Sequence, residues 1–341
     1  MKWTVNVPVW GDDYRRRFCE SGLRSIMAAF HYANADRDIR FVVYTDRPGF
    51  LDEHLRPHGS PPVAYRPVPH AVNSTCQLGN ADRTTIHDTE IGEAILFANA
   101  DMTFSREVFA ACERRFAQGK VFISCPSIRT VERSPPVGVP ARDLLTWSWA
   151  NRHQFTRDCV YGKGQVKAPP YVFFEHDGSI VMHAFDLHPL AIHKTRQMEY
   201  SGPTASEIIS MFSLAETHIV DTPNEMAIAE PAGPDLPYTR YRRRRLDRRT
   251  MVRWGKTFST RIQHDQFRRQ ILIFGHHNDG AHAVAGKIAN ESAQRIADNV
   301  RDDIDRWGLP SKIDLALMVP YFIRQMIPKP MRQAVLNWEW E

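Results

Sequence analysis

The stretch from Ile95 to Ser105, ILFANADMTFS, constrains the chain most. Ala94 to Ala98 (AILFA) is apolar at every position, so a strand there must be covered on both faces. Asn99-Ala100-Asp101 follows with no Gly or Pro to mark a turn. A strand covered on both faces belongs to a parallel sheet with helices on either side. In such sheets ligands bind beyond the carboxyl ends of the strands. Asn99 and Asp101 stand at that end, so the carboxylate is expected where the sheet exposes its ligand edge.

The rest of the chain supplies partners for that strand. Trp3 to Val9 alternates and predicts a strand; Phe18, Leu23, Ile26 and Phe30 follow at helical spacing. Arg40 to Thr45 predicts a strand ending in a turn at Asp46. Pro62 to Val68 and Val121 to Cys125 add two more. Ser105 to Gln118 predicts a helix that Ser105 caps and Gly119 closes. Ala141 to Gln154 predicts another, carrying Trp147 and Trp149. Tyr171 to Phe174 and Ser179 to His183 read as strands around a hairpin turn at Glu175-His176-Asp177-Gly178, and His218 to Asp221 as a short strand. The expected fold is α/β, a doubly wound, mostly parallel sheet with flanking helices. PAGPDLP, Pro231 to Pro237, predicts a boundary between a domain over residues 1–230 and a basic, mainly helical extension over 238–341. Its expected helices are Arg261 to Phe274, Ala281 to Trp307 and Ser311 to Ile327.

Charge sharpens the contrast between the two parts. From Arg240 onward 20 Lys and Arg face 11 Asp and Glu, while the rest carries 24 against 28. A basic tail on a mildly acidic body implies an anionic partner. Seven Arg and one Asp crowd RYRRRRLDRR, Arg240 to Arg249. Nucleic acid, an anionic membrane surface and a phosphorylated lipid-linked glycan all fit that density. The acidic body and the lack of a nucleic-acid module argue against the first. The apolar segment Ile313 to Ile327 fits core packing or a membrane-interface contact. MKWTVNVPVW is not expected to act as a secretory leader, no run is long enough to span a bilayer, and the five cysteines form no C-x-x-C. These features predict a cytoplasmic protein, with a peripheral membrane contact open.

VPVWGDDYRRRFCESGLRSI, RFVVYTD, ILFANADMTFS, FISCPSIRTV and SIVMHAFDLHPLAIH occur in this order. Together they resemble a bacterial glycosyltransferase of the GT-A type, over roughly Trp3 to Glu230. The resemblance implies a hexosyltransferase-like enzyme that moves a sugar from a nucleotide-diphosphate donor to a glycan or lipid-linked acceptor. It implies that Pro8, Val9 and Trp10, with Asp12, Asp13 and Asp46, line the nucleotide side. It places Asn99-Ala100-Asp101 at the family's Asp-x-Asp metal motif, where Mn²⁺ or Mg²⁺ would offset charge on the leaving diphosphate. The first acidic position is Asn99 here; Asp101 keeps the one that usually binds metal directly. Asn99 leaves open a metal-bound water, a ribose hydroxyl, a metal-independent site or an inactive one. Arg83, Lys163 and Lys167 are basic candidates for the same charge.

His183, His188 and His193 recur every five residues. The resemblance makes His183 and His188 candidates for a late metal ligand, with Asp186 as a partner for the imidazole. Hydrogen-bonded structural histidines are the alternative. An acceptor hydroxyl needs a carboxylate to take its proton, and Glu175, Asp177, Asp221 and Glu225 are candidates. Turn chemistry accounts equally for Asp177, and a strand exit with a helix cap for Asp221 and Glu225. Helix capping is likewise the alternative for Asp101. Trp147, Trp149, Tyr171, Phe173 and Phe174 suit either sugar stacking or a core. Beside the transferase stand two other readings: a degenerate nucleotide-sugar or glycan binder, motivated by Asn99, and a nucleic-acid binder, motivated by the Arg cluster.

Overall fold

Seven short strands make the central sheet of the computed structural model, which describes residues 1–32, 36–70, 74–131, 134–164, 171–184, 189–199, 208–209, 211–232, 267–268, 271–274 and 279–307. The strands are β1 (Lys2–Pro8), β2 (Asp38–Tyr44), β3 (Val63–Arg66), β4 (Ala94–Phe97), β6 (Phe122–Ser124), β10 (Pro189–His193) and β11 (Thr217–Ile219). Their order is β11-β6-β10-β4-β1-β2-β3. β1 pairs in parallel with β2 and β4, β2 with β3, and β6 with β11. The exception is β10, antiparallel to both β4 and β6. All parallel members therefore end on one edge. The α/β expectation holds, and AILFA is buried at every position of β4, as its composition requires.

Helices cover both faces. On one lie α1 (Asp12–Arg17), one wide π-helical turn (Phe18–Gly22), α2 (Leu23–His31) and α5 (Val108–Ala117), packed over Trp3, Val5, Phe41 and Leu96. Gly22 permits that packing, because a Cβ there would lie 2.8 Å from a ring carbon of Phe18 and 3.0 Å from the Met102 carbonyl. The same face holds Arg37, whose fork grips both Glu113 oxygens at 2.9 Å while Trp3 Nε1 donates to Glu113 at 3.1 Å. The opposite face of β1 receives α4 (Ser74–Asp88).

Two smaller sheets flank the main one. β5 (Thr103–Phe104), β12 (Ile228–Ala232) and β7 (Ser127–Val131) form the first. β8 (Tyr171–His176), β9 (Ser179–Ala184) and β13 (Ile271–Phe274) form the second. The β8–β9 hairpin turns where expected, with Asp177 and Gly178 both left-handed at φ of 45° and 72°. Asp-Gly suits that turn because its twist matches the strands. Helices α6 (Ala141–Ala150) and α7 (Gln154–Asp158), and α8 (Asp279–Trp307), pack on these sheets.

Three expectations need correction. Ser105 caps nothing: its hydroxyl accepts from the Ala227 amide at 3.1 Å and its amide donates to the Ala227 carbonyl, joining β5 to β12. The helix starts later, after Glu107. Residues 141–154 do not make one helix; Asn151 to His153 break it, and the His153 ring accepts from the Phe155 amide to start α7. Ile271 to Phe274 is a strand rather than helix, since its branched and aromatic run pairs with the free edge of β9. Arg240–Arg249 and Ile313–Ile327 lie outside the described residues.

Candidate functional site

The carboxyl ends of β1, β2, β4, β6 and β11 open on one edge of the central sheet, which the pairing directions dictate. The expected nucleotide-side residues gather there. Pro8 and Val9 are buried at the end of β1, and the Val9 amide donates to the Tyr44 carbonyl at 2.9 Å. Trp10 is half-buried beside them. Asp46 accepts the Gly11 amide at 3.3 Å and the Arg15 guanidinium. A second arm of Arg15 reaches Asp12 at 2.6 Å. The loops after β1 and β2 are thus tied into one rim, half of Asp46 still facing solvent.

Below this rim is a buried polar network. Asn6 on β1 donates to Asp82 on α4 at 2.5 Å, Thr85 donates to Asn6 Oδ1 at 2.9 Å, and Tyr44 bonds the Thr85 hydroxyl at 3.1 Å. Burial raises the Asp82 pKa to about 7, opposed only by the Asn6 bond. A folded pKa above the unfolded value means stability is full below about pH 4 and declines as pH rises through 7. Asp82→Asn is expected to flatten that decline, gaining on the order of 2 kcal/mol at pH 8 relative to the wild type. Urea unfolding at pH 5 and pH 8 checks it; parallel pH profiles would show that Asp82 titrates normally. Arg83, next on α4, is bound to Asn80 one turn back.

Asn99 and Asp101 form the turn after β4, the Met102 amide closing on the Asn99 carbonyl at 3.0 Å. Asp101 caps no helix, because β5 intervenes. It is half-buried, two residues before β5 of the first small sheet. There Glu230 on β12 accepts from Ser127 at 2.5 Å and pairs with Arg129 at 3.2 Å. Burial and the Glu230 charge push the Asp101 pKa up to about 6, while Arg129 and Arg17 pull it down. The charges that act on Asp101 are thus one acid and two arginines. Glu230 and Arg129 were missed in sequence. Each is a lone charge in a short strand, and only the parallel register pairing Glu230 with Arg129 joins them.

The other candidates scatter. His183 is fully buried on β9; its Nδ1 donates to the Phe267 carbonyl at 2.7 Å, and its ring meets Phe174 and Phe267. Burial lowers its pKa to about 4, so it is a neutral packing histidine in this setting. His188, Asp186 and Lys167 lie outside the described residues. Glu175 pairs with Lys163 at 2.8 Å, and Asp177 serves the hairpin turn. Glu225 is buried between Arg115 (2.6 and 3.0 Å) and His218 (3.1 Å). Burial would raise its pKa, but those partners outweigh it and hold it at about 2, too acidic for a base. Asp221 is exposed two residues past β11, on the same edge as Asp101. Trp149, Tyr171, Phe173 and Phe174 are core; Trp147 is half-buried.

A divalent cation of the Mg²⁺ type takes about six oxygen ligands, of which one or two are carboxylates and the rest water and substrate phosphates. The charges of Arg129 and Arg17 act on Asp101, and the oxygens of Glu230 are engaged by Ser127 and Arg129. Among the described residues no three His, Cys, Asp or Glu side chains group to hold a metal. Asp101 and Asn99 would therefore hold Mn²⁺ or Mg²⁺ only with water and substrate phosphates completing the shell.

No family model matches the sequence, and no curated protein matches it. Solved structures do resemble it. S. aureus TarS 1-349 in complex with UDP-GlcNAc is 10% identical over 97% of this chain and 85% of that one, at a TM-score of 0.42. A longer S. aureus TarS structure is 17% identical over 40% of this chain, at 0.28. A putative glucose-1-phosphate thymidylyltransferase from Bacillus anthracis, in complex with a sucrose, is 12% identical over 38%, at 0.26. The chain spans 23% of that longer TarS chain and 56% of the thymidylyltransferase. None of these scores carries a function across.

Proposed function

We propose that the chain is a nucleotide-sugar-dependent glycosyltransferase, acting on a glycan or lipid-linked acceptor. One observation supports this above the rest: the Asn99–Asp101 turn lies on the ligand edge of a mostly parallel sheet, within electrostatic reach of Arg129 and Arg17. A nucleoside diphosphate gains negative charge as the sugar C–O bond breaks. Fixed guanidinium groups stabilise that charge in place, where water is partly excluded. Asp101 and Asn99 hold the donor as hydrogen-bond partners, while the rim of Pro8, Val9, Trp10 and Asp46 takes the nucleotide. Asp221, exposed on the same edge, is the carboxylate best placed to receive the acceptor proton. The domain over residues 1–230 carries this chemistry in the proposal, and the basic segment after 238 meets the anionic acceptor or membrane. No described helix is long and apolar enough to cross a membrane.

Thermal shift and donor hydrolysis with a panel of nucleotide sugars, with and without Mn²⁺, test the reading. One donor is expected to stabilise the wild type and to be hydrolysed. Asp101→Ala is expected to cut that hydrolysis by about 100-fold. No response to any donor in the wild type overturns the proposal. Asn99 motivates a second reading, binding without turnover. It gains if a donor stabilises the protein and neither the wild type nor Asn99→Asp turns it over.

A further inference from the structure

Arg152 is a half-buried cation seated on an aromatic ring. It follows α6, and its guanidinium carbon lies 4.4 Å from the ring centroid of Trp149. One arm donates to the Trp149 carbonyl at 2.7 Å. Its Nε is buried with no hydrogen-bond partner, and it joins no ion pair among the described residues. Among the described residues Glu175 is the acid whose charge favours the ionised form of Arg152, and it is engaged by Lys163. Arg157, exposed one turn on, adds a second positive charge, and with burial it opposes ionisation of Arg152. Asp158 beside it accepts from Gln154. Burying a cation without a counter-charge costs free energy, and stacking on an indole offsets only part of that cost.

The placement bears on the site. Arg152 forms an isolated bridge to Thr130 on β7. The residue before Thr130 is Arg129, whose guanidinium pairs with Glu230 and whose charge acts on Asp101. Arg152 therefore sits on the outer flank of the same small sheet. Half-buried Trp147 and Tyr161 lie in the adjoining segments. A guanidinium whose plane is fixed by a ring offers its remaining N–H groups as a preformed fork, which matches two oxygens of a phosphate.

We propose that Arg152, seated on Trp149, receives a phosphate group of the acceptor, so that the acceptor is a phosphate-bearing glycan. This deepens the transferase reading and rests on it for the word acceptor; the anion subsite itself does not. The fork takes two phosphate oxygens, Arg157 supplies long-range attraction, and the aromatic neighbours take the sugar faces.

Calorimetric titration with inorganic phosphate tests the subsite, with chloride at matched ionic strength as control and with or without saturating UDP. Wild type is expected to bind phosphate, with affinity falling about tenfold or more in Arg152→Gln and less in Arg152→Lys. Bound UDP is expected to leave that affinity unchanged. Near-UV circular dichroism shows whether each variant is folded. Should the Gln variant not fold, the Lys variant decides, since a lysine cannot supply the fork. Equal affinity in wild type and in the folded variant overturns the proposal, as does absence of phosphate binding in the wild type. Displacement of phosphate by UDP also overturns it, because Arg152 would then belong to the donor. Phosphate binding at Arg152 in a protein that binds no nucleotide sugar would retain the subsite and remove only the transferase.

Discussion

Lys194→Met is expected to lower the unfolding free energy by about 3 kcal/mol, although the lysine is far from any chemistry. Lys194 is 1% exposed, just past β10. Its ammonium donates to the carbonyls of Ile86, His87 and Thr89 at 2.8, 2.9 and 2.5 Å. These oxygens end α4, where the helix has no partners of its own, and where the helix dipole favours a cation. Its backbone is held too, between the Glu93 carbonyl and the Gly92 amide. Methionine keeps most of the apolar stem, so the expected loss isolates the three charge-assisted bonds. Removing them leaves buried carbonyls unpaired, and that penalty outweighs the relief of no longer burying a charge. Equilibrium urea unfolding reads the loss. A change under about 1 kcal/mol would mean that water replaces the ammonium. Because α4 presses Asp82 onto Asn6 beneath the ligand rim, loosening its end is expected to weaken the rim as well.

What the sequence revealed followed from local physics. AILFA is apolar throughout, so its burial on both faces needed no partner to be known. The Asp177-Gly178 turn was readable because two left-handed residues in succession suit few other pairs. Elements defined by distant partners were not readable. Helix α4 shows little apolar periodicity because the face it turns to β1 carries Asp82 and Thr85. Strand β10 opens with Pro189 and its antiparallel course is set by β4 and β6, so its histidines drew more notice than its pairing. The site divides the same way. Asn99 and Asp101 announced themselves at a strand end. Glu230 and Arg129 became visible only when the register of β7 and β12 set them side by side. The acidic turn belongs to one strand, whereas the charges around it come from three elements.

Arg115→Ala is expected to cost about 4 kcal/mol. Glu225 is 6% exposed, and Arg115 grips both of its oxygens, at 2.6 and 3.0 Å, from the last turn of α5. His218 on β11 supplies the third contact. With Arg115 gone, Glu225 must either stay charged and buried beside His218 alone or take up a proton. Either course costs free energy that the wild type does not spend. The sign of the pH dependence follows. Glu225 has a folded pKa of about 2, below its ordinary 4.5, so its contribution is present above pH 4.5 and is lost as pH falls towards 2. In Arg115→Ala that acid-labile contribution is expected to shrink, and the gap between variant and wild type to narrow below pH 4. Arg115→Ala with Glu225→Gln removes the stranded charge, and the double variant is expected to recover about half of the loss. Thermal unfolding of the three proteins at pH 3.5 and pH 7 reads both effects. A double variant no more stable than Arg115→Ala would mean that packing by the arginine stem, not the buried charge, holds α5 against β11.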